Sequence, residues 1–111
     1  MLYFPLSFSA ASWHNASMEI RNAIVIERAM RKYAQCRTPL QQWIRIIAEG
    51  SWNNLIKMRK TFPAADAIKG TSFTCFNIGG NNFRLIASVS YAGQFVVVKE
   101  ILTHAEYDKK Y

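Results

Sequence analysis

Acidic side chains are scarce in this chain: seven Asp and Glu stand against fourteen Lys and Arg, a formal charge of +7. That imbalance excludes an acidic surface and favours a polyanionic partner, meaning nucleic acid, a ribosome, an acidic membrane face or an acidic protein. A basic surface that serves only solubility is the plain alternative. Cysteine is nearly absent too. Cys36 and Cys75 form no CxxC or Cys/His zinc spacing, so buried free thiols in a reducing, cytoplasmic setting are expected rather than a disulfide or a metal site. No apolar run approaches the ~20 residues that a membrane span needs, so no membrane partner is expected. Residues 1–17 carry no charged side chain at all, and the basic start of a secretory signal is therefore missing. Met18 follows directly and suits a natural start. Residues 1–17 are read as a poorly ordered upstream extension, with a hydrophobic partner-binding arm as the lesser reading. His14 receives no role.

What the chain does have is apolar bulk. Half of its 111 residues are apolar and 14% are aromatic, enough to bury a core in one domain over residues 18–111. Residues 18–22 suit a short first strand. A helix over 23–35 follows, with Ile26, Met30 and Tyr33 on one face. Thr38-Pro39-Leu40-Gln41 reads as a helix start, with Thr38 as the N-cap and Pro39 at the first helical position. Leu40, Trp43, Ile44 and Ile47 then repeat at helical spacing up to Gly50. Trp43 reads as a core anchor rather than a base-stacking platform. Residues 51–62 suggest a third, shorter helix with Leu55, Met58 and Phe62 inward and Lys57 and Lys60 outward. Pro63 stops it, and a loop is expected to Ser72.

Phe73 to Asp108 is the most informative stretch. Three strand-like runs are separated by Gly79-Gly80-Asn81-Asn82 and by Ala92-Gly93, which predicts an antiparallel meander. Phe83, Leu85, Ala87, Val89 and Tyr91 alternate onto one face. A symmetric second turn places Arg84 opposite Ile101 and Ile86 opposite Lys99, all four on the other face, and a one-residue slip would scatter them. The expected fold is α+β: a small, mainly antiparallel sheet, helices on one face, the other face open.

The open face and its rim collect Arg84, Lys99, His104, Glu106, Tyr107 and Asp108. RNA cleavage through the ribose 2′-hydroxyl needs a base, a cation for the developing phosphorane and an acid for the leaving oxygen. His104 has a reference pKa near 6.5, suited to either proton task. Tyr107 suits an acid, or a base if nearby cations lower its pKa. Arg84 offers a planar, permanently charged fork for phosphate. Such a scheme needs no metal and no cofactor. Simpler readings stand beside it: His104 as a surface or capping residue, Tyr107 packed on the sheet edge, and Lys99 as protection against edge pairing.

Two motifs in order, NIGGNNFRL (Asn77–Leu85) and THAEYDK (Thr103–Lys109), resemble the HigB family of type II toxins within the RelE/ParE group. TPLQQW (Thr38–Trp43) and Phe62-Pro63 are similar to further elements of that family. The resemblance runs from about Met18 to the end and leaves out residues 1–17. Family members usually run some residues past the position of Tyr111, so a few terminal contacts are expected to be missing. It implies a RelE/ParE-like sheet with two helices on one side. It also implies an mRNA endonuclease acting in the ribosomal A site, silenced by a helix-turn-helix HigA antitoxin that brings it to operator DNA. Carried over, Arg84 contacts the scissile phosphate and His104 and Tyr107 are the candidates for proton transfer, a pattern different from the Lys/Arg/Tyr set of RelE relatives. Lys57, Lys60 and Lys99 are assigned to RNA phosphates. A ParE-like gyrase poison and a non-catalytic RNA-binding module remain as alternatives on the same fold.

Overall fold

Alternation at Phe83, Leu85 and Ala87 builds the spine of the molecule, because all three side chains drop into one core with Phe76 and Val98. The computed structural model describes residues 17–111. The expected extension over 1–17 therefore lies, apart from Ser17, outside the described residues. Met18 is buried in the core.

The elements run β1 (Glu19–Arg21), α1 (Ile24–Lys32), α2 (Arg37–Glu49), α3 (Leu55–Thr61), β2 (Asp66–Ala67), β3 (Thr74–Ile78), β4 (Phe83–Ser90), β5 (Phe95–Thr103) and α4 (His104–Lys110). The sheet order is β1-β5-β4-β3-β2. Among the described residues, only β1 and β5 pair in parallel. This is the α+β class read from the sequence, with the meander and the N-terminal strand in place.

One face of the sheet meets the helices. Ile26 of α1, Leu40, Trp43 and Ile47 of α2 and Met58 of α3 pack with Phe76, Leu85, Val96 and Val98. Phe76, 1% exposed, is held edge-on by Trp43 at 5.4 Å and by Phe62 at 5.3 Å between ring centroids. Trp43 is thus the core anchor its spacing suggested. Phe76→Ala removes the ring on which Trp43 and Phe62 converge and is expected to cost about 3–5 kcal/mol. A urea titration reads this as a lower midpoint at unchanged slope.

The local details correct the sequence reading in four places. Thr38 is not the N-cap: a 3₁₀ turn over Ala34–Cys36 feeds straight into α2, Cys36 occupies the cap with helical angles, and no side chain caps that end. Pro39 still falls in the first turn, where a missing N–H costs nothing. The expected loop after Pro63 contains β2, which borrows pairing from β3 at Asp66↔Cys75. Residues 104–110 form a helix rather than a bare rim. That helix folds back over the second face of the sheet, where Ile68, Cys75 and Ile86 meet Phe73, Leu102, Tyr107 and Tyr111, so this face is not open. Helices therefore lie on both faces of the sheet.

The fourth correction is the register. Ala87↔Val98 and Ser90↔Phe95 follow the symmetric turn, but a bulge shifts the pairing to Ile86↔Glu100 and Arg84↔Leu102. Lys99 is the extra residue at the bulge. Leu102 and Glu100 therefore replace Ile101 and Lys99 opposite Arg84 and Ile86, and Ile101 packs on the larger core. Lys99 still bends back over the second face, 4.3 Å from the Phe73 ring centroid. Among the described residues, no helix is long and apolar enough to cross a membrane.

Candidate functional site

The turn between β3 and β4 is the hinge of the site. Gly79 and Gly80 take φ of 64° and 68°, a region that side-chain-bearing residues rarely adopt, and this lets the chain reverse within four residues. The reversal aims Asn81 back at Arg84. Arg84 Nη1 donates to the carbonyls of Asn81 at 3.0 Å and Phe83 at 3.2 Å, and Nη2 donates to Asn81 Oδ1 at 2.7 Å. Arg84 is only 8% exposed, and a buried guanidinium needs these acceptors to offset lost hydration. Its Cζ lies 5.7 Å from the Tyr107 ring centroid. Among the described residues, Nε and the remaining Nη2 hydrogen have no hydrogen-bond acceptor.

The next residue of the turn anchors α4. The Asn82 carbonyl accepts from the His104 amide at 3.0 Å. Thr103 caps the helix: its hydroxyl accepts from the Glu106 amide, and Glu106 Oε1 accepts from the Thr103 amide at 2.8 Å. His104 and Tyr107 then sit one turn apart at i and i+3. His104 Nδ1 lies 3.1 Å from Asp108 Oδ2, although the contact misses the angle of a hydrogen bond and leaves Nδ1 shielded without a donor or acceptor in line. With the ring 44% exposed and Nδ1 shielded, Nε2 is the nitrogen offered outward.

Tyr107 is half-buried against the second core beside Cys75. Burial first, then the neighbouring Cys75, push its hydroxyl above the usual tyrosine range, and Arg84 opposes this without reversing it. Tyr107 is a protonated phenol at neutral pH. That upward direction favours a proton donor over a base at this position. Burial likewise raises the thiols of Cys36 and Cys75, both free.

The structure brings Arg84 and Tyr107 together and ties His104 to the same turn. It does not add Lys57 and Lys60 to them. Those two project from α3, whose buried Met58 belongs to the larger core, so they lie in the other helical layer. Lys99 stays near: its Nζ donates to Tyr111 Oη at 3.2 Å. Sequence reasoning missed Asn81 as the holder of Arg84 and Asp108 as the partner of His104. The signal for Asp108 was its i+4 spacing, visible only once 104–110 is known to be a helix. Among the described residues, no group of three or more His, Cys, Asp and Glu gathers as metal ligands.

Glu100 fastens the far end of α4. It accepts from Lys110 Nζ at 2.9 Å and from Tyr111 Oη at 2.7 Å. Burial would raise its pKa, but those two hydrogen bonds and the charges of Lys110 and Lys99 outweigh it, and the net direction is down. A lowered carboxyl stabilises the fold above the ordinary glutamate pKa of about 4.3 and loses that contribution as pH falls through its folded-state value. Acidification is therefore expected to release α4 before the main core. Tyr107 and Tyr111 resonances shifting ahead of those of Trp43 in an NMR pH titration would show it, and Glu100→Gln should abolish that early step.

A family match and three relatives agree on the family of this chain. Residues 36–110 match the family HigB_toxin, described as the RelE-like toxic component of a toxin-antitoxin system. The chain is similar to "mRNA interferase HigB" of Escherichia coli O6:H1 (strain CFT073), 34% identical over 93 residues, covering 83% of this chain and 90% of the relative. It is also 33% identical over 84 residues to "mRNA interferase toxin HigB" of E. coli K12 and to "mRNA interferase HigB" of Shigella flexneri, covering 75% of this chain and 81% of each.

Proposed function

Since this chain belongs to the HigB family of RelE-like toxins, we propose that it is an endoribonuclease that cuts messenger RNA and arrests translation. It acts in the cytoplasm on messages in the ribosomal A site and is held silent by a HigA-type helix-turn-helix antitoxin, through which it reaches operator DNA. The observation that carries this reading is His104, backed by Asp108, at the start of a helix that also sets Tyr107 against Arg84.

The proposed reaction is attack of a ribose 2′-oxygen on the adjacent phosphorus with loss of the 5′-oxygen. His104 Nε2 takes the 2′-proton, and Arg84 offsets the charge that builds on the phosphoryl oxygens. Tyr107, held protonated, returns a proton to the leaving oxygen. The products are a 2′,3′-cyclic phosphate and a 5′-hydroxyl end. Lys57, Lys60 and Lys99 bind backbone phosphates away from the cut, and their contribution should weaken as salt rises.

A narrower second reading is favoured by the bonding of Arg84 back into its own turn and by the burial of Tyr107 beside Cys75. In that reading both residues only seat α4, and His104 with Asp108 does the proton chemistry. Tyr107→Phe separates the two, since it removes the proton and keeps the ring. A translation-coupled extract programmed with a defined message tests the function itself. Cleaved messages with cyclic phosphate ends support it. Intact messages with damaged DNA in expressing cells would point to a gyrase poison, and intact messages with stalled ribosomes would point to a binding module.

A further inference from the structure

β1 pairs with β5 only as far as Val97, and Asn22 Nδ2 donates to the Val98 carbonyl at 2.8 Å. From Lys99 onward that edge of β5 has no strand beside it among the described residues. α1 overhangs it instead and encloses a cleft of about 310 Å³, at the low end of the roughly 300–1,000 Å³ typical of small-ligand sites. Arg28, Lys32 and Tyr33 form one wall, and Lys99, Glu100 and Glu106 the other. This cleft lies apart from the candidate catalytic residues, none of which lines it.

Its chemistry is selective. Among the described residues, Arg28 and Lys32 take part in no ion pair, so their charge is available to an anion. Tyr33 has Phe83 against it at 5.0 Å and Lys32 Nζ 5.3 Å from its ring centroid. An incoming ring would displace a flexible lysine whose charge can then meet a phosphate. Glu100 is spent on Lys110 and Tyr111. Glu106 is not: Oε1 serves the helix cap, and Oε2 has no hydrogen-bond partner among the described residues. A lone acceptor carboxylate in a cationic cleft repels an acidic peptide. It suits a nucleobase whose edge carries an amino group, as in cytosine, adenine or guanine. Uracil presents a single ring N–H between two carbonyl oxygens, and those oxygens oppose the carboxylate.

We propose that the cleft between α1 and β5 is a nucleotide subsite that takes an amino-bearing base against Tyr33 and Glu106 and its phosphate on Arg28 and Lys32. The proposal rests on the RNA-cutting reading above and names where that RNA is read. The test is an NMR titration of the full chain with AMP, CMP, GMP and UMP. AMP, CMP and GMP are expected to shift the amides of α1 and of Lys99–Leu102, with UMP binding about fivefold or more weaker, the order of discrimination one well-made base-edge contact gives. Arg28→Ala with Lys32→Ala should weaken all four nucleotides. Glu106→Gln keeps the capping box, replaces the free acceptor with an NH₂ donor and should turn the preference towards UMP. Equal binding of UMP, absence of shifts at α1 and β5, or stronger shifts from a hexaglutamate peptide than from AMP would each overturn the proposal. Cleaved messages without nucleotide shifts in the cleft would sink the subsite alone. Nucleotide shifts without cleaved messages would sink the nuclease reading alone.

Discussion

His104→Ala should cut message cleavage by about a hundred- to ten-thousandfold, the range that one general acid–base group contributes. The fold should hold. The ring is half exposed, its hydrogen bond to the Asn82 carbonyl comes from the backbone and survives, and Thr103 still caps α4. A surface change of this kind usually moves stability by no more than about 0.5 kcal/mol. Paired measurements of cleavage rate and urea midpoint check both halves. Asp108→Asn should give a smaller loss, because it weakens the orientation of the imidazole without removing it. A His104→Ala protein that still cuts messages at the parental rate would move the chemistry elsewhere.

Arg84 is expected to behave differently, because catalysis and stability share one side chain there. Arg84→Ala strips the donors from two carbonyls and from Asn81 Oδ1, and groups left unpaired in this way cost about 1–3 kcal/mol. Both the melting temperature and cleavage should fall, so the alanine variant alone cannot assign a role. Arg84→Lys separates them. It keeps the charge and gives up the fork, and it should recover part of the stability while cleavage stays low, since a point charge cannot serve the turn and a phosphate together. A double-mutant cycle with Asn81→Ala measures how much of the stability term is the bond to Asn81. Full recovery of cleavage in Arg84→Lys would show that charge alone suffices.

Much of this architecture was readable from side-chain periodicity. The strict alternation through β4 and the helical spacing of Leu40, Trp43, Ile44 and Ile47 correspond to buried faces in the structure, because a misplaced face would expose those apolar side chains to water. The glycine pair at 79–80 was legible for a similar reason: few other residues accept the positive φ found there. The start of α2 was misread because a 3₁₀ turn supplied what a Thr38 cap would have supplied. β2 escaped notice because two residues carry no period. α4 escaped because its seven residues include no fully buried side chain, only the half-buried Tyr107, and depend on β5 for support.

Residue identity was enough to nominate a guanidinium, an imidazole and a phenol, since their charges and proton affinities are properties of the groups themselves. The surroundings of these side chains arose from folding, part of it local and part of it long-range. A bulge at Lys99 chose which side chains face Arg84, the nearby Asn81 drew the guanidinium inward, and burial beside Cys75 raised the pKa of Tyr107. The bulge and the burial join separate strands and a helix, as in Ile86 opposite Glu100 and Cys75 beside Tyr107, where a shift of one residue reverses the facing of a strand and no local pattern records it.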